Sequence, residues 1–367
     1  MQGQWIGRYS GTNTGDAVLE LDAVGSNFEG WVYIYDDRHD LPPLAAFVVI
    51  PSGATRYSNP ELPLTPLDPL SGDFTQWVHL RDRLPGITIP TKANTDWVLG
   101  EDTIQVHWQS DIGTGGEGTL HKVDGTKRSD LVPINVNSWD EFRRYVRGLE
   151  PYKFMFRGQE SNKWRLRTSF HRTDRSDLVK FMRVDVNALH QNLSSLTRHA
   201  FNLSSPIDYG AFVSLAQHHG YPTPLLDWTH SPFIGSYFAF KNAQQADEKV
   251  RIFIFDREQW VTDWNQLQRI TPARLHFSIL NATAINNTRM VPQQALASVT
   301  NAEDIESYID KKAREKGDRN YLQVIDLPVE QRKEALTELS MMGITAGSLF
   351  PGLDGACDQL KGRFFGV

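Results

Sequence analysis

The sequence predicts an α+β protein: a small all-β barrel or sandwich over residues 1–125, a linker over 126–137, and a mixed α+β domain over 138–367. Three observations carry this prediction. Up to residue 125, short runs rich in Val, Ile, Trp and Tyr are separated by clusters of Gly, Asn and Asp, the pattern of an antiparallel meander. After residue 138, helix-spaced apolar residues are interspersed with compact apolar strands, without the strict alternation of a doubly wound sheet. Between the two, the stretch 124–130 is polar and charged.

The first strand is Trp5-Ile6-Gly7-Arg8-Tyr9, followed by a glycine-containing turn and Ala17-Val18-Leu19-Glu20-Leu21-Asp22. Phe28 to Tyr35 and Ala45 to Ile50 give the next two. The prolines of 51–70 predict a loop. Strand signals return at Thr103-Ile104-Gln105-Val106-His107-Trp108, and the glycines of 113–118 form a hairpin tip leading into Thr119-Leu120-His121. A barrel or sandwich is the natural closure, because it removes exposed strand edges. Trp5, Trp31, Tyr33 and Trp108 would fill such a barrel or line a cavity in it, and filling is the simpler expectation.

In the second part, Ser138-Trp139-Asp140-Glu141 has the spacing of a capping box, opening a helix through Phe142 and Tyr145. Phe154-Met155-Phe156 reads as a strand, 178–199 as a helix, and 209–219 as a helix ended by Gly220. Val250 to Phe255 and Leu322 to Ile325 are buried strands. Helices are expected over 302–316, 329–342 and 351–364.

Forty per cent hydrophobic and 22% charged residues fit a globular protein, and a net charge of -6 gives no global attraction to nucleic acid or anionic membrane. No apolar stretch approaches membrane-spanning length, and Met1 leads into a strand-like run, so a cytoplasmic location is expected. The single cysteine, Cys357, excludes an internal disulfide and a cysteine zinc cluster, and is expected as a small apolar filler. No metal is expected, since no His-x-x-x-His or matching carboxylate spacing occurs. Walker loop, Gly-x-Ser-x-Gly and dinucleotide fingerprint are all missing.

The chemistry gathers in two strings. Phe156-Arg157-Gly158-Gln159 puts a guanidinium at the end of a strand. In Pro222-Thr223-Pro224-Leu225-Leu226-Asp227-Trp228-Thr229, the prolines end any preceding helix and force an extended approach. Asp227 and Thr229 then share the strand face opposite the Trp228 indole. Ser231-Pro232 is an N-cap followed by proline at the first helical position, opening a helix that buries Phe233, Tyr237 and Phe240. A carboxylate and a hydroxyl on a strand leading straight into a helix N-terminus suit an anionic ligand, and Arg157 can supply a bidentate phosphate contact. His218 and His219 at a helix end offer a general acid or base, or a cap for that end.

These strings resemble the FRG domain. Phe156-Arg157-Gly158 matches the motif that names it, and Ala216-Gln217-His218-His219-Gly220-Tyr221-Pro222-Thr223-Pro224-Leu225-Leu226-Asp227-Trp228-Thr229, Ser231-Pro232 and Tyr237-Phe238-Ala239 match its longer signature. The family usually has arginine where this chain has Pro224. Arg289 and Gln293-Gln294 resemble its R…QQG, with Ala295 in place of the glycine, and 342–355 is typical of FRG proteins. The resemblance runs from Ser138 to the end.

The same residues also resemble ADP-ribosyltransferases, which carry an aromatic-Arg-Gly on the first strand, a hydroxyl-bearing strand leading into a helix, and a late strand with glutamate. That resemblance implies NAD as cofactor. Arg157, Gly158, Gln159, Thr229 and Gln293 would then form the cofactor site, and Arg157, Asp227, Gln294 and His218 would be catalytic. Gln294 stands where the glutamate would fall, and an amide cannot stabilise an oxocarbenium as a carboxylate does, so Asp227 or Glu160 takes that part or the chain binds a nucleotide without chemistry. The implied protein is a bacterial or phage-borne NAD-dependent effector, in a toxin or anti-phage system, acting on a macromolecule or nucleotide, with the N-terminal module recognising a target or trigger. The alternatives are a non-catalytic nucleotide sensor and a protein-interaction module.

Overall fold

The computed structural model describes residues 1–281 and 283–365. The chain divides into two compact units. The first comprises Met1–Asp124 with Ser169–Ala188 and Ile270–Leu275, and the second comprises Gly125–Thr168, Leu189–Arg269 and His276–Val367.

The first unit is a nearly closed antiparallel barrel of nine strands. They are β1 (Gly3–Gly11), β2 (Gly15–Val24), β3 (Asn27–Asp36), β4 (Leu44–Pro51), β5 (Arg56–Pro63), β6 (Thr65–Pro66), β7 (Lys92–Leu99), β8 (Thr103–Ser110) and β9 (Gly115–Lys122), in the order β5-β7-β8-β9-β1-β2-β3-β4-β6. Two of them correct the sequence reading. Residues 51–70 are not a continuous loop: they hold β5, an edge strand, where prolines cost no ladder hydrogen bond on the open side. Its register shifts between Asn59 and Leu62, with Glu61 left-handed at φ 61°. β7 alternates regularly, burying Ala93, Thr95, Trp97 and Leu99, but two of those four are too small or polar to read as core.

The barrel interior is graded. Trp5, Leu19, Leu21, Ile50, Leu99 and Ile104 pack one end of it. Trp5 fills as expected, fully buried, its indole donating to the Met1 carbonyl at 2.8 Å. Tyr33 belongs instead to a second cluster with Val18, Ala45, Leu67 and Val179, against which Trp31 packs. The helical run begins at Leu178, passes through one π-type turn at Phe181–Asp185 and ends at Leu193 rather than at 199. Beyond that point Ser194 and Thr197 hydroxyls bond to nearby backbone carbonyls, an alternative to continuing the helix.

The second unit is built on six antiparallel strands, β10 (Phe154–Gln159), β11 (Leu225–Thr229), β12 (Lys249–Asp256), β13 (Phe277–Leu280), β14 (Ala295–Thr300) and β15 (Leu322–Pro328). Their order is β13-β14-β11-β10-β12-β15. Both faces are covered. Phe156, Ile252, Ile254 and Ile325 pack with the helices Trp139–Arg147, Pro232–Phe240 and Arg332–Met341. Met155, Trp228, Phe253 and Val324 pack on the other face with Trp260, Phe277, Ile305 and Ile309. Across β12 and β15, Arg251 and Asp326 form a two-point ion pair at 2.7 and 2.9 Å, with 3% and 5% of their side chains exposed.

Caps follow the sequence with one change. Ser138 Oγ accepts from the Glu141 amide at 3.3 Å, but the Glu141 carboxylate accepts from the Asn137 amide, one residue before the cap, at 2.7 Å. Ser231 caps its helix by accepting from the Ile234 amide. Cys357 is not a core filler: it lies exposed on the last helix, Leu353–Phe365, whose one buried residue is Gly355. Among the described residues, no helix is long and apolar enough to cross a membrane, and no cluster of three or more His, Cys, Asp or Glu is arranged to hold a metal.

Candidate functional site

The two central strands of the second sheet barely pair. β10 is bonded along its whole length to β12, and β11 along its whole length to β14, yet β10 and β11 meet at one Cα pair, Phe156 with Thr229. No further pair is in register between them, so these two strand edges do not form a ladder. Arg157 spans this opening: its Nη1 donates to the Asp227 carbonyl oxygen at 2.7 Å. The two residues therefore meet, but through the aspartate's backbone. Its carboxylate alternates to the face opposite Trp228 and is exposed.

Gly158 is explained by packing. A Cβ there would overlap the Gly235 carbonyl oxygen and lie 2.5 Å from the Ala239 amide nitrogen, so the strand rests directly on the helix Pro232–Phe240. Gln159 is buried and donates from Nε2 to the Arg165 carbonyl at 3.5 Å, which braces the chain after β10. Glu160 accepts from Asn242 Nδ2 at 3.0 Å, just past the end of the same helix.

On the other side of β11, Thr229 organises the approach to β14. Its hydroxyl donates to the Gln293 carbonyl at 2.8 Å and accepts from the Ser231 amide at 3.1 Å. The Gln293 side chain is buried and donates to the Leu349 carbonyl at 2.9 Å. Gln294 is exposed, immediately precedes β14, and sits in the left-handed region at φ 46°, an uncommon conformation for a residue with a side chain. Its carbonyl accepts from the His230 amide at 3.1 Å.

His230 is the residue that the sequence reading passed over. It fills the unassigned position between Thr229 and Ser231, and its ring meets the exposed Tyr152 edge-on at 5.3 Å. Burial, then the nearby Arg257 guanidinium, holds its imidazole below the ordinary histidine range, so it is neutral at pH 7. The available signal was its place inside the motif.

His218 closes the helix Pro206–His218, and Gly220 follows at φ 89°, which a glycine adopts without strain. His218 Nδ1 lies 2.8 Å from the Ser214 carbonyl and 3.1 Å from Asn287 Nδ2, so it can serve one of them at a time, according to tautomer. Arg289 caps the same helix end through the His218 carbonyl at 2.8 Å and lies over the Phe350 ring. Thr223, fully buried, bonds to Gln217 and receives the Leu225 amide, tying the helix to the start of β11.

Fold and site together define a two-unit α+β protein in which a β-barrel precedes an antiparallel sheet divided at its centre by an arginine. Residues 152–248 match the family model of the FRG domain. The chain thus carries a segment that matches the FRG domain, behind an N-terminal β-rich, barrel-like module. The matched segment contains Arg157, His218, Asp227 and Thr229, while Gln293 and Gln294 lie beyond it. No curated protein matches the chain. Similar solved structures include a redesigned β-barrel, 11% identical over 34% of this chain and 91% of that one, with a TM-score of 0.22. Another is a de novo designed fluorescence-activating β-barrel, 12% identical over 34% of this chain and 94% of that one, with a TM-score of 0.20.

Proposed function

We propose that the FRG unit is an NAD-dependent, ADP-ribosyltransferase-like site acting on a macromolecular target. One observation carries this reading. Numbered within their own sheet, the strands run 4-5-2-1-3-6, so the first, second and fifth are neighbours. Those are the strands bearing Arg157, bearing Asp227 and Thr229, and directly following Gln293 and Gln294. Segments about 70 residues apart in sequence thereby face one opening.

In this reading Arg157, whose Nη1 is bonded to the Asp227 carbonyl, contacts the NAD pyrophosphate. Thr229 and Gln293 fix the wall on the β14 side. NAD bound there would supply a ribose carbon activated for transfer: nicotinamide would leave with the bonding pair, and an acceptor group of the target would form the new bond and give up its proton to solvent. The exposed Asp227 carboxylate suits stabilisation of that cation better than the Gln294 amide does. Its setting would be a bacterial toxin or anti-phage defence system, with the N-terminal module recognising the target or trigger.

A second reading, a nucleotide sensor without catalysis, is favoured by the two glutamines and by the Gln293 amide being committed to Leu349. Purified protein incubated with labelled NAD and cell extract decides. Transfer of label, or NAD turnover, supports the enzyme. NAD binding that Arg157→Ala abolishes, without turnover, supports the sensor. Neither binding nor turnover removes both.

A further inference from the structure

The barrel holds a second site, independent of the FRG unit. Its inward positions are large at one end, but toward the other they become Ala17, Ala46, Ala93 and Gly118, one on each of four strands. Small residues at these four positions leave a cavity of about 340 Å³. That volume falls in the range of small-molecule sites, roughly 300–1,000 Å³. Val32, Ile34, Leu44, Leu62, Val106 and Leu120 contribute to its wall, which is mostly apolar. Of the aromatic residues singled out in the sequence, Trp108 lines this cavity, edge-on to Tyr9.

Trp97 also lines it, and there the polar accounting is incomplete. The residue is 3% exposed, and its indole Nε1 makes no hydrogen bond with any described residue. Buried donors without an acceptor are rare in folded proteins. By contrast, the polar groups at the mouth satisfy one another. Asp36 accepts from the Tyr9 hydroxyl at 3.1 Å, from Asn13 Nδ2 at 2.8 Å and from the Arg38 amide at 2.9 Å. The Arg38 guanidinium is turned to Asp40, and the Ser110 and Thr114 hydroxyls pair at 2.7 Å. Burial, then Asp36, pushes the Tyr9 phenol well above its ordinary range, so it remains a donor. A charged guest would meet an apolar wall and a rim whose charges are already matched.

We propose that the barrel binds a neutral, largely apolar small molecule in this cavity.

The full chain titrated with prodan, a neutral naphthyl ketone, tests this. One saturable site per chain is expected, with blue-shifted prodan emission and quenched tryptophan fluorescence. Ala46→Phe and Ala93→Leu, which fill the cavity, should each weaken binding by at least ~10-fold while still melting cooperatively. Absent or non-saturating binding overturns the proposal, as does wild-type affinity in the folded filling variants. Should both filling variants fail to fold, Ala17→Val, a smaller intrusion into the same cavity, decides alone: unchanged affinity in the folded variant overturns it.

Discussion

Arg157 reaches Asp227 through the aspartate's backbone carbonyl, at 2.7 Å, and the carboxylate is left exposed on the other face of β11. Placing the guanidinium and supplying a carboxylate are therefore separable tasks. Asp227→Asn keeps the carbonyl, so Arg157 stays where it is and NAD affinity should change by no more than about 2-fold. If the proposed chemistry holds, transfer should fall by ~100-fold, the usual scale for losing an electrostatic stabiliser. Arg157→Ala should instead lower NAD affinity by ~10-fold or more, losing a charge-assisted contact. Calorimetric titration with NAD beside a labelled-NAD assay separates the two. Full turnover in Asp227→Asn would rule out the carboxylate.

Gly158 and Gly235 let β10 lie against the helix Pro232–Phe240, but not equally. A Cβ on Gly158 overlaps the Gly235 carbonyl, whereas a Cβ on Gly235 stands 3.1 Å from Phe156 Cβ. Gly158→Ala should cost about 3 kcal/mol, since backbone on both sides would have to move. Gly235→Ala should cost clearly less than that. Urea unfolding of the two variants gives the ranking, and equal losses would mean the helix can slide.

Arg251 and Asp326 are a cross-strand pair with almost no solvent contact. Asp326→Ala would leave the buried guanidinium with Ser129 and the Leu131 carbonyl as its hydrogen-bond partners among the described residues, and should cost about 3–5 kcal/mol. The double change Arg251→Met with Asp326→Leu should recover most of that loss, because the apolar pair carries no desolvation penalty. A double-mutant cycle by chemical denaturation measures it. If the double variant is as damaged as Asp326→Ala, the pair is needed for more than its own charge balance.

Legibility in the sequence followed what each strand buries. β10 and β12 hold compact apolar runs, Phe154–Phe156 and Ile252–Phe255, and β15 the shorter Val324-Ile325, and all three were readable. β13 and β14 were not, because their interior carries hydroxyls whose partners lie far along the chain. Ser298 accepts from the Trp228 indole, Thr300 donates to the His276 carbonyl, and Ser278 accepts from the Leu267 amide. The motif residues of the candidate site were recognisable by type, and the capping serines by spacing. The single-pair meeting of β10 and β11 was not, since pairing at one position leaves no composition signal. The barrel cavity was hidden for a similar reason: Ala17, Ala46, Ala93 and Gly118 become one feature only when four strands come into register.

The pH dependence of stability should carry the mark of Asp177. This aspartate is buried in the barrel unit and caps the helix that starts at Leu178 by accepting from the Lys180 amide at 2.9 Å. Burial pushes its carboxyl up to about 6; Asp22 adds to the rise, while the Lys180 amide bond and the Lys180 and Arg175 charges oppose it. Glu20, fully buried beside it, is likewise pushed well above the carboxylate range. Unfolded, Asp177 titrates near an ordinary value of about 4, so between about 4 and 6 the native state holds a proton that the unfolded chain has released. Stability from this group is therefore lost as pH rises through that window, by up to about 3 kcal/mol, and is flat above it. Asp177→Asn keeps a capping side chain and removes the titration. The difference in unfolding free energy, variant minus wild type, should grow from pH 4 to pH 6 and then level off. A difference that stays constant, or that shrinks with rising pH, would show that Asp177 is ionised in the folded barrel.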